Sequence, residues 1–406
     1  MMAIVMFILS FCSTASLLAW LYILLHPARP WDMQPVNDDA CIPEHKQFSS
    51  WPRVDIIVPA RNEAEALAKS LPALLAQEYP GVYHVILVDD RSTDDTAETA
   101  RQIAVRLRMS ERLTVLQGKP LPEGWVGKVW ALEQGAKAAV AAGSTGFILL
   151  TDADILHTPM SLRRLVSESM SGRLGLNSRM ARLNCCSPSE RLLIPAFVFF
   201  FNLLYPMRRV NDPKDKTAAA AGGCVLLSSE ALQRMGGGFE PIKGEIIDDV
   251  NLARVVKALG FPIRLGLSRK EVQSLREYPR LQDIWKMVRR TAFTELKYSW
   301  FRLLGALFAL VLLFVVPILS IVVGMFAIGF ENAFMELVPG IWAMAKGSLA
   351  LLAMRTAYLP SVRFFELPAR HAFALPVAGI LYGLMSLDSA WQHKRRKRIE
   401  WRDVVT

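Results

Sequence analysis

The apolar positions of the chain change their rhythm twice. From Met1 to Leu25 they run on without a charged side chain. From residue 54 to about 275 they come in short runs separated by helical patterns, and from Leu303 onward long apolar stretches return. In the middle section Val54–Pro59 reads as a strand, Glu63–Gln77 as a helix and Val82–Val88 as a second strand. A second helix starts at Asp94 with acidic residues in its first turn. Leu113–Leu116 reads as a third strand, Lys128–Val140 as a helix and Phe147–Thr151 as a fourth strand. Strands alternating with helices predict an α/β sheet domain. The turn after the first strand lacks G-x-G-x-x-G, which argues against a Rossmann dinucleotide site.

The outer sections predict membrane segments. Met1–Leu25 is long enough to cross about 30 Å of hydrocarbon at about 1.5 Å per residue. A signal peptide would have a basic start and a shorter apolar core, so residues 1–26 read as an uncleaved anchor. Residues 26–53 hold five prolines and many polar side chains, which makes 27–51 a linker. Leu303–Phe330 is a second uncharged run, with Pro317 as a kink, and Ala372–Trp391 is a third candidate with Asp388 near its end. Val338–Leu359 is interrupted by Lys346 and Arg355; it reads as a full span or as a segment lying in the interface. Leu192–Pro206 is too short to cross, so it is a core helix or a helix resting on the bilayer. Leu281, Ile284, Trp285, Val288, Ala292 and Leu296 recur at helical spacing. They predict an amphipathic interfacial helix over 281–302, feeding a membrane region at 303–392 and a basic tail at 393–406.

Composition refines this outline. Hydrophobic residues make up 52% of the 406-residue chain and the formal net charge is +10. The basic residues form no aromatic-interleaved stripe. They cluster beside apolar runs, at Arg289-Arg290 and His393–Arg398, which points to lipid headgroups and away from nucleic acid. Arg29 and Arg53 follow the first span, so the domain after it is expected in the cytoplasm, as is the basic tail. That requires an even number of later crossings. Two crossings with the middle segment in the interface meet it, and a third crossing would need Lys346 to find a buried partner. The expected location is the inner (cytoplasmic) membrane of the cell, multi-pass, with the α/β domain on the cytoplasmic side. The five cysteines have no zinc spacing, and Cys185-Cys186 are adjacent, so all read as reduced thiols.

Three acidic clusters carry the candidate chemistry. Asp89-Asp90 ends the apolar run Val85–Val88, Asp152-Ala153-Asp154 ends Phe147–Thr151, and Asp248-Asp249 opens a helical pattern. The first two lie at carboxyl ends of buried strands, where open α/β sheets place their ligand crevice. Paired carboxylates suit Mg²⁺ or Mn²⁺ carrying a diphosphate. Each cluster also has a plainer reading: an acidic turn capping a helix, a polar loop, and a helix start favoured by the macrodipole. That same dipole would lower the pKa of the Asp249 carboxyl. His157 follows the second cluster and reads as a metal ligand or a polar loop residue. No nucleophile elbow and no Ser-His-Asp order occurs.

Taken together, Val54–Glu63 (VDIIVPARNE), Val88–Thr96 (VDDRSTDDT), Thr151–Asp154 (TDAD) and Glu245–Asp249 (EIIDD) resemble the family 2 glycosyltransferases with the GT-A fold, over about residues 52–280. The membrane layout is similar to the lipid-glycosylating subgroup, such as ceramide glucosyltransferases, and most of all to hopanoid-associated glycosyltransferases. The resemblance implies a mixed-sheet GT-A domain flanked by N-terminal and C-terminal transmembrane helices. It also implies donor binding by Pro59, Ala60, Arg61 and Glu63, and contact of Asp89 or Asp90 with the nucleotide base. A carboxylate can accept the imide N–H of uracil, a donor that cytosine lacks, so a UDP-sugar is expected. Lys128 would sit beside the diphosphate, Asp152 would bind donor and cation, and Asp154 would be the direct ligand of Mg²⁺ or Mn²⁺. Asp249 takes the general-base position, with Asp248 where relatives usually carry Glu. The sequence departs from the family downstream: in place of Gln-x-x-Arg-Trp it has Trp285–Thr291, where Arg289 or Arg290 serves the diphosphate or contacts headgroups. This speaks against processive synthesis. The implied activity is inverting transfer of one sugar to a membrane lipid. The alternatives are transfer to a polyprenyl phosphate, an acceptor that hardly needs a base, and a catalytically silent membrane scaffold.

Overall fold

The structure, a computed structural model, describes residues 2–33, 35–36, 48, 50–143, 146–329 and 334–394. Cys41, much of the linker and Arg395–Arg398 of the basic tail lie outside the described residues. The chain forms two compact units. A helical unit comprises Met1–Met33, Cys185–Pro206 and Tyr278–Thr406, and an α/β unit comprises Gln34–Asn184 and Met207–Glu277.

Along the chain, α1 (Met2–Leu25) is followed by β1 (Val54–Ala60), α2 (Ala64–Leu75), β2 (Tyr83–Asp89), α3 (Thr96–Arg106), β3 (Leu113–Gln117), α4 (Gly127–Ala141) and β4 (Phe147–Thr151). Then come β5 (Ile155–His157), α5 (Ser161–Gly172), β6 (Leu176–Met180), α6 (Pro188–Leu204), α7 (Met207–Val210), β7 (Cys224–Ser228), α8 (Ser229–Arg234), α9 (Asp248–Ala258), β8 (Ile263–Leu267) and β9 (Val272–Ser274). The chain ends in α10 (Leu281–Glu295), α11 (Trp300–Leu310), α12 (Val316–Gly329), α13 (Phe334–Phe364) and α14 (Leu375–Lys394).

The α/β unit is built on a seven-stranded sheet of order β3-β2-β1-β4-β7-β6-β8. β1 to β4 run parallel, whereas β7 is antiparallel to both β4 and β6. Every residue of β1 and β4 is buried, as expected for parallel strands covered on both faces. α4 lies so close to β1 that a Cβ on Gly135 would come within 2.4 Å of Ile57, so only glycine permits the approach. Each element expected between residues 54 and 151 is present, with ends shifted by a few residues. In the second half of the sheet, β6 escaped the hydrophobic pattern. β6 is wholly buried yet reads LNSRM. Its Asn177 amide donates to the Leu165 carbonyl at 3.2 Å, and its Arg179 pairs with Glu168. Polar side chains satisfied by specific partners carry no periodic signal.

In the helical unit, α11 and α12 are continuous through a π-helical turn at Val311–Val315. Three stretches are long and apolar enough to cross a membrane: Phe7–Leu25, Trp300–Phe326 and Ala369–Lys394. The interrupted middle segment is one 31-residue helix, α13, and its Lys346 ammonium donates to Ser10 Oγ of α1 at 3.1 Å. α6 belongs to this unit. It starts with a capping box formed by Ser187 and Glu190, and its Phe199 and Phe200 pack edge-on against Tyr358, Phe314 and Tyr382. The amphipathic helix ends at Glu295 and a short turn separates it from α11.

Candidate active site

The parallel register sets the carboxyl ends of β1 and β2 side by side, with Pro59 opposite Val88 and Ala60 opposite Asp89. The following turns are stitched together. The Asn62 N–H donates to Ser92 Oγ at 2.8 Å, the Asn62 side-chain oxygen accepts from the Thr93 N–H at 2.7 Å, and the Glu63 N–H donates to Thr96 Oγ1 at 2.9 Å. Asn62 and Arg91 adopt φ of 50° and 54°, a left-handed conformation that asparagine tolerates well. Asp89 and Asp90 are both buried, at 5% and 3% exposure. Asp89 Oδ1 accepts the Ser92 N–H at 3.1 Å, while Asp90 faces Arg61 at 4.0 Å and Arg91 at 3.7 Å. Pro59, Ala60, Arg61, Glu63, Asp89 and Asp90 therefore form one acidic lip at the ends of β1 and β2.

Across β1, strand β4 ends at Thr151 and the Asp152–Asp154 turn leads into β5, which pairs with β9. Lys128, in the first turn of α4, reaches Asp152 Oδ1 at 2.8 Å and Asp248 Oδ2 at 3.6 Å. Asp248 and Asp249 occupy the first turn of α9. Asp249 Oδ2 accepts the Gly222 N–H and Oδ1 the Val250 N–H, both at 2.8 Å. Lys128, Asp152, Gly222, Asp248 and Asp249 line one hollow.

The electrostatics follow from this packing. Burial and the neighbouring Asp248 carboxylate push Asp249 up to about 6, against the pull of Lys128 and two backbone N–H donors. Desolvation thus outweighs the helix dipole that would hold this carboxyl low. Burial alone would lower the Lys128 ammonium, but Asp152, Asp248 and Asp249 together hold it above the ordinary lysine range. Gly222 was not foreseen from the sequence. A Cβ there would lie 3.2 Å from Lys128 Nζ and 3.3 Å from Asp249 Oδ2, so the bare backbone is what can reach the aspartate. The Gly222-Gly223 pair before an apolar run was the only available signal.

Asp154 is turned to a different partner. Arg276 Nε donates to Asp154 Oδ2 at 2.7 Å and Arg276 Nη2 to Glu63 Oε1 at 3.1 Å. Nothing in the sequence singles out Arg276. The arginines expected at the diphosphate, Arg289 and Arg290, lie on α10 in the helical unit, where Arg289 pairs with Asp388 at 3.4 Å. His157 is neither a metal ligand nor a loop residue. It closes β5, is 2% exposed, and engages Thr151 Oγ1 through Nε2 at 2.9 Å and Ser161 Oγ through Nδ1 at 3.1 Å. Burial holds its pKa down to about 4, so it stays neutral.

Among the described residues no group of three or more His, Cys, Asp or Glu side chains forms a ready-made metal cage. The donor set at 152–154 still fits Mg²⁺ or Mn²⁺. Hard cations of this type take one or two carboxylates and complete their shell with water and substrate phosphates. Among the described residues Cys12, Cys185, Cys186 and Cys224 are free thiols.

A mixed sheet of this kind, with acidic turns at its strand ends and apolar helices before and after it, defines a GT-A-type α/β domain. Residues 52–293 match the family described as glycosyltransferase like family 2, and the chain belongs to that family. It is 29% identical over 223 residues to an N-acetylglucosaminyltransferase of Rhizobium leguminosarum bv. phaseoli, covering 53% of this chain and 47% of the relative. It is 35% identical over 214 residues to the 4,4'-diaponeurosporenoate glycosyltransferase of Staphylococcus aureus, covering 51% and 52%. The chain thus spans about half the length of these curated relatives. Among solved structures, it is similar to the mannosyltransferase PcManGT of Pyrobaculum calidifontis in complex with GDP-Man and Mn²⁺. The identity is 18%, the TM-score 0.49, and the coverage 95% of this chain and 99% of that one.

Proposed function

We propose that the protein is an inverting, metal-dependent glycosyltransferase that moves one sugar from a UDP-sugar to a hydroxyl of a membrane lipid at the cytoplasmic face. A hopanoid or related lipid is the proposed acceptor. The observation that carries this reading is the shared hollow: Asp152 of the acidic turn and Asp249 of α9 line it together, with Lys128 between them.

The chain's own residues divide the work. The lip of Arg61, Glu63, Asp89 and Asp90 receives the nucleoside, with a buried carboxylate to accept the uracil imide N–H. Mg²⁺ or Mn²⁺ held by Asp152 and Asp154 with the donor phosphates would supply Lewis-acid neutralisation of the departing diphosphate. Lys128 places a positive charge beside Asp152 at the same end of the hollow. Asp249 accepts the proton of the acceptor hydroxyl as its oxygen attacks the anomeric carbon, and one displacement inverts that centre. The two backbone N–H bonds fix the Asp249 carboxylate in place. Its raised pKa makes it a stronger base than an ordinary aspartate while leaving it ionised at neutral pH.

Membranes carrying the protein are incubated with a panel of radiolabelled UDP-sugars, and the labelled lipid is identified by mass spectrometry. Asp249→Asn should lower transfer by about 100- to 10,000-fold, the usual contribution of a general base, while UDP binding is retained. A folded variant that transfers sugar at the normal rate would reject the base assignment. No labelled lipid with any UDP-sugar would reject the function.

A further inference from the structure

Arg276 connects two parts of the donor lip that are far apart in sequence. Its position is built from the backbone upward. β9 pairs with β5, the strand that leaves the acidic turn, with Ile155 opposite Ser274. The Leu275 N–H then donates to the Asp154 carbonyl at 2.8 Å, and the Arg276 N–H to Ser274 Oγ at 3.2 Å. From there the guanidinium donates to Asp154 at 2.7 Å and to Glu63 at 3.1 Å. The side chains are 25%, 13% and 16% exposed, so this is a partly sheltered bridge and not a loose surface pair.

The bridge bears on cation binding. A carboxylate oxygen that accepts a short charge-assisted bond has given its best lone pair to the guanidinium. A divalent ion approaching the same carboxylate also meets that positive charge at close range. Arginine does not lose its proton in proteins, so the competition persists at every pH the protein meets. A diphosphate resolves the conflict, because the planar fork that holds carboxylates binds phosphate oxygens equally well.

We propose that Arg276 is a resident counter-ion of the metal carboxylate. In the donor-free protein it occupies Asp154 and makes cation binding weak. When a nucleoside diphosphate arrives with its cation, the guanidinium moves from Asp154 to the phosphates, so that cation and donor bind as a unit. This rests on the reading of the 152–154 turn as the donor's metal site, and adds to it a residue that sets the order of binding.

The test reads Mn²⁺ binding by electron paramagnetic resonance on the full-length protein in detergent, with and without UDP and with no sugar present. In the wild type, UDP should tighten Mn²⁺ binding markedly. Arg276→Gln should tighten Mn²⁺ binding in the absence of UDP by about tenfold, as expected for removing a competing charge from a partly buried carboxylate, and should weaken UDP binding. The dependence of one ligand on the other should then shrink. Arg276→Lys keeps the charge but loses the fork, so it should tighten Mn²⁺ binding by a smaller factor; it also gives the readout if the glutamine variant does not fold. Mn²⁺ binding without UDP that is unchanged or weaker in the folded variants overturns the proposal. A wild type that binds no Mn²⁺ even with UDP removes the metal-site reading and this proposal with it, a result distinct from normal Mn²⁺–UDP binding that ignores Arg276.

Discussion

Asp249 sits where two influences of opposite sign meet. It begins a helix, which favours its charged form, and it is buried beside a second carboxylate, which disfavours it. Burial and Asp248 win, and the carboxyl is pushed up from the ordinary aspartate range to about 6. The sign of the pH dependence follows. A general base works deprotonated, so transfer should be full above about pH 6 and fall as pH drops through it, whereas an ordinary aspartate would keep activity to about pH 4. A cation at Asp152 would draw the inflection downward. Asp248→Asn removes the second of the two causes, so kcat/KM plotted against pH should bend at a lower pH in that variant. An inflection that stays put would remove Asp248 from the account. At this scale the sequence located the acidic clusters, whose positions could be named from strand ends and a helix start. It said nothing of Gly222 or Arg276. Their roles come from a backbone N–H and a guanidinium brought in from distant segments, and neither leaves a local pattern.

The acidic turn is tied to the element behind it by hydrogen bonds. His157 of β5 links Thr151, the last residue of β4, to Ser161 in the first turn of α5, and the Ser161 hydroxyl donates to Gln77 at 3.1 Å. The turn is therefore held from below by a neutral histidine. Its folded pKa of about 4 lies below the ordinary 6.5, so between those values the unfolded chain binds a proton that the folded one excludes. Stability from this source is fully present above about pH 6.5 and is lost as pH falls toward 4. Thermal melting of the detergent-solubilised protein at pH 7.5 and pH 5 should show a smaller loss for His157→Gln than for the wild type. Equal losses would mean that His157 is not the group responsible. β1, β2 and β4 were legible because apolar runs buried on both faces are unmistakable. β6 was not, because its buried polar residues depend on partners for their place, and β9 is three residues long with a single buried apolar side chain, Val272.

At the scale of the whole molecule, packing within the helical unit gives its apolar helices a direction. Gly324 of α12 packs against Gly340 and Met344 of α13, and Gly347 of α13 against Pro317 and Ser320, so these helices run antiparallel. Gly379 of α14 packs against Phe314, Gly383 approaches Leu310, and Ala390 clusters with Phe293 and Leu303. α14 therefore also runs opposite to α11 and α12, and it ends beside α10, where Asp388 accepts from Trp285 at 2.7 Å. On the proposed cytoplasmic placement of the α/β unit, α11–α12 would be the outward crossing and α13 the return, with Lys346 carried across by its bond to Ser10. α14 then enters and leaves from one side. This reading keeps an even number of crossings after the α/β unit but uses α13 for the second, not the more apolar C-terminal stretch. Protease added to inside-out vesicles should cleave a C-terminal tag and the α/β unit together. Protection of one without the other would require α14 to cross.

Taken alone, the order of residues determined the class of the sheet, the apolar segments and the acidic clusters at the strand ends, because burial and carboxylate chemistry write themselves locally. The tertiary structure decided which groups share the hollow, which cation each carboxylate holds, and how far Asp249 departs from an ordinary aspartate. Those properties depend on distances of a few ångströms between segments more than a hundred residues apart, such as Asp154 and Arg276. Coulomb and desolvation energies are set by such distances and by burial, and neither can be read from spacing along a chain.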